Sequence, residues 1–425
     1  HTRDGHVEGV LPEDPDLGDT DQLAGRFALR LEPTSDLTID ISADGSRSRE
    51  NSAPVVALTI NENAPAAQAW NAVFSGAPGI CADTSNAARL SDQRCFNSQW
   101  ALAPYQHGGT FTAISDTFTN GNPEPYRSGS DVNIWGVSGT VNWQATDALS
   151  VKSITAYRQV TGFWTRDSDH SPASIVQTNS DWTQDQFSQE VQLLGDFMDG
   201  RINWVLGGYY SNESGNHKDL VNIVDAIFLS GAVLEGESLA FFGQSTVEIL
   251  PDLNLTAGVR WTQDEKTFDN ANQYVVASGF LTGSPFNPDG SGLQDGDPLM
   301  GPLGQTASIK DEAWTPMVSL SYRFSPEVMT YVSYSQGFKG GGFTQRVFPP
   351  FAFIPSFEPE TSTTYEVGFK SDLFDRRLRV NGAVFQNDYD NLQITVNDPT
   401  LGFAPIIQNA AKAQIRGFEL EMQAR

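Results

Sequence analysis

In NLTAGVRWT, residues 254–262, Leu255, Ala257, Val259 and Trp261 fall on one side of an extended chain. Asn254, Thr256, Gly258, Arg260 and Thr262 fall on the other. A period of two is the mark of a strand with one apolar face. SLSYRF repeats it, with Leu320, Tyr322 and Phe324 against Ser321 and Arg323. So do TYEVGFK, with Tyr365, Val367 and Phe369 against Glu366 and Lys370, and LTIDIS, with Leu37, Ile39 and Ile41 against Thr38, Asp40 and Ser42. Residues 150–160 alternate poorly. The pattern predicts strands near 24–32, 36–48, 132–144, 148–163, 183–195, 200–212, 238–250, 253–268, 312–324, 328–342, 361–373, 377–397 and 415–425.

The connections carry a second pattern. EPTSD, ATDA, DFMDG, LPDL, SPE and LFDR are short, whereas those near 49–131, 164–182, 213–237, 269–311, 343–360 and 398–414 are long. Short and long alternate, so in a meander all tight turns gather at one end and all large loops at the other. Transmembrane barrels have this asymmetry, with short periplasmic turns and long extracellular loops. A propeller would show four-stranded repeats, and a sandwich would close within about 100 residues; neither is visible. The expected fold is all-β, a transmembrane antiparallel β-barrel. Its polar face should point inward, with Arg260, Arg323, Glu366, Lys370, Arg377 and Arg379 lining the lumen. Trp143, Trp261, Tyr210, Tyr322 and Phe374 are candidates for the interfacial aromatic belts.

Composition changes the picture in a few places. The formal net charge of −26 argues against a nucleic-acid partner, which needs a basic face. No run of 18 apolar residues exists, so no transmembrane helix is expected. The negative mean hydropathy does not exclude a membrane, because a barrel strand shows only alternate residues to lipid. Cys81 and Cys95, the only cysteines, share one polar stretch and suggest a local disulfide; two free thiols are the alternative. Acidic residues crowd two segments, Glu13, Asp14, Asp16, Asp19 and Asp21, and Asp289, Asp295 and Asp297. Oxygen-rich loops can bind Ca²⁺, but neither cluster has EF-hand spacing. Solvated acidic loops are the plainer reading, and no metal or cofactor is expected.

The segment SYSQGFKGGGFTQR, residues 333–346, poses the sharpest question. Its glycines fit no G-x-G-x-x-G pattern, and no Lys-Ser or Lys-Thr follows them, so a phosphate cradle is a poor reading. They lie where a strand enters a long loop, and there glycine lets the chain bend at a barrel rim.

At this point the residues resemble a known family, the TonB-dependent outer-membrane receptors. YVSYSQGFKGGGF (331–343) is similar to its aromatic-Ser-x-Gly-aromatic-Lys segment. FEPETSTTYEVGFKSDLFDRRLRVNGAVFQNDYDNLQ (357–393) resembles its Pro-Glu…Glu-x-Gly-aromatic-Lys hairpin. NAAKAQIRGFELE (409–421) resembles the next strand opening, and ESLAFFGQSTVEILPDLNLTAGVRWTQDEKTF (237–268) the mid-barrel hairpin. The order and spacing of four such motifs carry the resemblance, over about 21–425. It implies a 22-stranded barrel with a plug domain and a segment that meets a TonB-type energising protein. Neither the plug nor that segment is visible, and both ends read as strands cut short, so the chain is expected to be the middle of a longer receptor.

The resemblance implies energised uptake of a scarce, bulky ligand such as a ferric siderophore. The motifs FRAP and NPNL, which would point to haem, are absent. A passive porin is the alternative. A barrel enzyme is disfavoured: His1, His6, His107, His170 and His217 fall in loop-like segments, and no G-x-S-x-G occurs.

Overall fold

The computed structural model describes residues 1–7, 16–51, 57–101, 129–171, 175–224, 226–396, 405–409 and 412–424. Its framework is an antiparallel meander of thirteen long strands: Thr20–Thr34, Leu37–Glu50, Ser130–Thr146, Leu149–Asp167, Val176–Phe197, Ile202–Ile223, Ala232–Leu250, Leu253–Asp269, Thr306–Ser325, Val328–Lys339, Glu360–Leu373, Leu378–Asp390 and Lys412–Ala424. Each pairs with its neighbours in chain order, and Thr2–Arg3 adds a short piece beside Thr20–Asp21. The short connections fall where the alternation puts them. Several need residues with positive φ: Asp252 in one turn, Met198, Asp199 and Gly200 in another, and Phe374, Asp375 and Arg376 in a third.

The outward face explains the period of two. Trp135, Val137 and Trp143 are exposed on one strand, Trp314, Val318, Leu320, Tyr322 and Phe324 on another, and Phe418, Leu420 and Met422 on the last. Adjacent strands align these into rows such as Phe418–Val384–Val367–Val332–Leu320–Leu255. In water such a surface would be costly; against acyl chains it is satisfied. From Trp135 to Trp143 is the length a tilted strand needs to cross a bilayer, about 9–11 residues. Aromatic rings mark both limits. Phe241 stacks on Trp261, which sits opposite Trp314, at the loop end; Phe197 on Trp204, and Tyr322 against Phe324, mark the turn end. Of the belt candidates, Trp143, Trp261, Tyr210 and Tyr322 lie on this face. Phe374 lies in a turn below it.

Some boundaries differ from the sequence pattern. Much of the expected loops 164–182 and 213–237 is strand, because Leu149–Asp167, Val176–Phe197, Ile202–Ile223 and Ala232–Leu250 continue past the apolar band. Beyond the band no face needs to be apolar, so the period disappears while the backbone ladder persists. On the outward face of Ile202–Ile223 the series runs Ile202, Trp204, Leu206, Gly208, Tyr210, then Asn212, Ser214, Asn216 and Lys218. The expected strand 328–342 stops at Lys339, and Gly342–Phe343 pairs instead with Ser356–Phe357. The expected strand 377–397 stops at Asp390, and Gln393–Val396 pairs with Ile406–Asn409.

The long connections carry most of the well-buried side chains. Phe228, Phe268, Val275, Leu293, Leu299, Met300 and Val347 form one core, with Phe343, Phe348 and Phe351 packed on it. A second core joins Ala67, Phe96 and Trp100 to Ile175 and Val224 at neighbouring strand tips. The loops therefore form a folded cap on one end of the wall.

Candidate functional site

The inward face of the wall is polar and charged. Near the first strands its charges are paired across strands: Arg30 with Asp40 at 2.7 Å and Arg158 with Asp44 at 2.8 Å. Arg260 lies on this face between two rings, with its guanidinium carbon 5.6 Å from the centroids of both Tyr209 and Phe242, and it donates to Thr262 Oγ1 at 3.0 Å. Tyr331 donates its hydroxyl proton to Glu366, and Lys370 sits 5.8 Å from the Tyr331 ring.

Arg323, Lys370 and Arg379 share a cleft of about 380 Å³ near the turn end, together with Glu327, Asp372 and Asn381. Arg379 is bound to Asp372 at 2.7 Å. Arg323 and Lys370 have no ion pair among the described residues. Arg377 departs from the expectation. It lies in the exposed turn at residues 374–377, where its amide donates to Phe374 O, and the strand begins only at Leu378. A run of positive-φ residues before it keeps the chain turning, which sequence alternation could not register.

The glycine segment is the rim of this wall. The Gly341 amide donates to Asp311 Oδ2 at 2.7 Å, and Lys266 Nζ donates to Gly341 O at 2.7 Å. A Cβ on Gly341 would come within 2.5 Å of Phe357 O, and one on Gly342 within 2.6 Å of the Phe357 ring. The glycines thus allow two backbones and a carboxylate to meet where the strand leaves the wall.

From there residues 340–359 cross to strand Ile202–Ile223. Gln345 Nε2 meets His217 Nδ1, and Gln345 O accepts from Gln273 Nε2 at 2.7 Å. Arg346 pairs with Asp219, a fully buried carboxylate that also accepts from Ser180 Oγ. The spanning part of that strand ends near Tyr210, so this seat lies beyond the membrane. Burial, then the charge of Arg346, lowers the His217 pKa. Burial raises the Asp181 carboxyl on the facing strand. Sequence reasoning placed His217 in a loop; it is on a strand. The signal that could have found this seat was the GFTQR end of the glycine segment, where Gln345 and Arg346 follow the rim at once.

The cysteine-bearing connection holds short helices at Pro65–Ala69, Trp70–Phe74, Pro78–Cys81, Ala87–Leu90 and Ser98–Ala101. Cys81 and Cys95 are bonded within it, and Glu62 joins Arg89 and Ser98 at its centre. The acidic residues organise turns. Asp295 accepts from the Ser278 amide and hydroxyl, and Asp297 from Asn287 and the Gln294 amide. Glu13 and Asp14 lie outside the described residues, as does His107. Among the described residues no cluster of metal-ligating side chains occurs.

A profile of the TonB-dependent receptor-like β-barrel family matches residues 82–425. The metal-pseudopaline receptor CntO of Pseudomonas aeruginosa is 30% identical over 126 residues, which is 29% of this chain and 16% of that receptor. Among solved structures, the ferric yersiniabactin uptake receptor FyuA of Yersinia pestis superposes with a TM-score of 0.66 at 17% identity, over 100% of this chain and 52% of FyuA. The ferripyoverdine receptor of Pseudomonas aeruginosa superposes at 0.56 and 13% identity, over 96% of this chain and 47% of the receptor. The chain therefore spans about half the length of the structural neighbours and less of the curated relative.

Proposed function

The chain belongs to the TonB-dependent receptor β-barrel family of the outer membrane, and from that premise we propose that it is the wall and cap of a receptor for energised uptake of a metal chelate, such as a ferric siderophore. The long connections face the outside and the short turns the periplasm. Arg260, Arg323, Glu366, Lys370 and Arg379 line the passage. The TonB-type protein acts through a plug carried by a longer chain.

One observation carries this reading beyond the family. The interior combines a polar, cation-bearing wall with a folded cap tied to it, in contrast to a passive pore with an open mouth. Anionic chelates suit such an interior, since arginine and lysine both favour carboxylate or phenolate oxygens. The named relatives bind iron or other metals as chelates, which supports the class without choosing the metal.

The test is uptake by cells that depend on the intact receptor under metal limitation. Accumulation of a labelled ferric siderophore, or of a nickel, cobalt or zinc chelate, should require both this receptor and the energising protein. Uptake that persists without the energising protein, with steady conductance in a planar bilayer, would favour a porin.

A further inference from the structure

The connection between Lys339 and Glu360 joins adjacent strands, yet it lands on a strand further along the wall. The strands Ile202–Ile223, Ala232–Leu250, Leu253–Asp269, Thr306–Ser325 and Val328–Lys339 are consecutive neighbours. At roughly 4.8 Å per strand the four steps make about 19 Å of wall. The connection reaches over this distance along the inward face, where His217 and Asp219 point. We propose that residues 340–359 are a strap that closes the outer mouth of the barrel, latched by Arg346–Asp219 and by a neutral His217, and released on acidification.

The latch is a charged contact beside the apolar core of the cap. Asp219 has no exposure, and Arg346 is the cation that balances it. Arg346 is half exposed, so the cost is one-sided: removing Arg346 leaves the buried Asp219 charge uncompensated. Lifting the strap lets water reach Asp219 instead, so the pair holds only while the strap is seated. Beside it, Gln345 Nε2 meets His217 Nδ1; with the Gln345 side-chain amide as donor, the ring nitrogen accepts, as a neutral ring with its proton on Nε2 can.

A proton on His217 would remove that acceptor and place a cation beside Arg346. The charged groups around the ring are Arg346 on the strap and Asp181 on the facing strand, with Lys218 and Asp219 on its own strand. Segment 270–305 presents the neutral Asn272 there. Burial and Arg346 outweigh the Gln345 hydrogen bond and Asp181, so the folded state disfavours the charged ring. Seating of the strap is therefore complete above the ordinary histidine pKa, about 6.5, and weakens as pH falls below it. At the far end of the strap Phe348 packs on Phe228 and Phe286, and the Phe351 amide donates to Leu299 O; these apolar contacts do not titrate. The motion is read without any ligand. What the strap admits rests on the receptor reading above.

The experiment uses the full receptor in outer-membrane vesicles, with Val347→Cys as a buried reporter and Ala271→Cys as an exposed reference for maleimide labelling. The labelling ratio corrects for the pH dependence of thiol reactivity. Acidification from pH 7.5 to 5.5 should raise the Val347→Cys ratio severalfold. His217→Gln keeps a neutral acceptor and should abolish that rise. Arg346→Gln should raise labelling at pH 7.5 about tenfold or more, Asp219→Asn by less because Arg346 is half exposed, and the double variant no further than the larger single effect. Arg346→Lys should retain most of the protection. Labelling indifferent to pH and to both single variants would overturn the strap, as would single effects that multiply in the double variant. Heat-modifiable migration of every variant separates strap opening from loss of the barrel.

Discussion

Val259 and Val275 are close in sequence and opposite in circumstance. Val259 is 43% exposed on the outward face of the wall, whereas Val275 is completely enclosed in the cap. Both places are correct for valine because the surrounding medium differs. On the wall, lipid takes the place of a core, so the largest apolar side chains point outward and the interior is left for charge. In the cap, water is on the outside, so Phe268, Leu293 and Met300 turn inward as in any soluble domain. One chain therefore obeys two inverted rules, and the boundary between them is the ring of Trp261, Trp314 and Phe241.

The largest effect that could break this comparison is expected in the cap. Trp100 is buried against Phe96, Ile175 and Val224, and its indole donates to Cys95 O at 3.0 Å. Trp100→Ala should cost about 3–5 kcal/mol locally. Protease cleavage within 57–101 should accelerate while heat-modifiable migration of the barrel is unchanged. If the barrel melted with the lobe, wall and cap would be one cooperative unit and the division would fail.

The wall has the complementary test. Val259→Arg places a charge on the lipid face and should destabilise by roughly 2–4 kcal/mol at midplane depth, while Thr256→Arg on the inward face should be tolerated. Urea titrations in vesicles would measure both. Equal costs would mean that the faces are assigned wrongly.

Why the wall was readable and the cap was not follows from the same inversion. Lipid favours an apolar residue at every second position, so most of the thirteen long strands are visible from alternation, including the motif-bearing Val328–Lys339 and Glu360–Leu373, while Leu149–Asp167 alternates poorly. Where strands leave the band the constraint ends, and the upper halves of Val176–Phe197 and Ile202–Ile223 read as loop. At the other end, Arg377 was misplaced because one extra turn residue is enough to shift it off the strand. The cap has no period. Ile60, Trp70 and Trp100 meet Ile175 and Val224 through long chain separations, and nothing local announces it. Arg346 and Asp219 are equally remote, and only the two cysteines gave a usable signal.

Those cysteines supply a smaller test. With a sequence separation of 14 the bond closes a short loop, worth at most about 3 kcal/mol by chain entropy. Cys81→Ala with Cys95→Ala should loosen the lobe less than Trp100→Ala does and leave the barrel's urea midpoint alone. Mass analysis after alkylation of the native protein should show no free thiol. A shifted barrel midpoint would tie the lobe to the wall more tightly than its packing suggests.

The smallest expected effect lies at the seam between the two regions, in the turn after Leu149–Asp167. Asp167 Oδ1 accepts from the Asp169 and His170 amides at 3.0 and 3.2 Å. Asp169 accepts from the Ser171 amide and hydroxyl and from the Ile175 and Val176 amides. Both carboxyls are buried, and Asp167 Oδ2 has no donor among the described residues. Burial, then the charge of Asp169, raises Asp167, and burial raises Asp169 to about 6. With folded values above the unfolded ones, their contribution is complete below about pH 4 and is lost as pH rises, for Asp169 through about 6. This turn should therefore tighten on acidification, opposite to the strap latched at His217. Asp167→Asn keeps the oxygen that accepts from Asp169 and His170 and removes one charge. It should stabilise the turn by roughly 1 kcal/mol at pH 7.5 and flatten its pH dependence, since a one-unit pKa shift is worth about 1.4 kcal/mol. Hydrogen exchange at the Ile175 and Val176 amides, followed between pH 5 and 7.5 and corrected for intrinsic rates, is the measurement. Protection that is indifferent to pH, or weaker in the variant, would show that burial does not raise the two carboxyls.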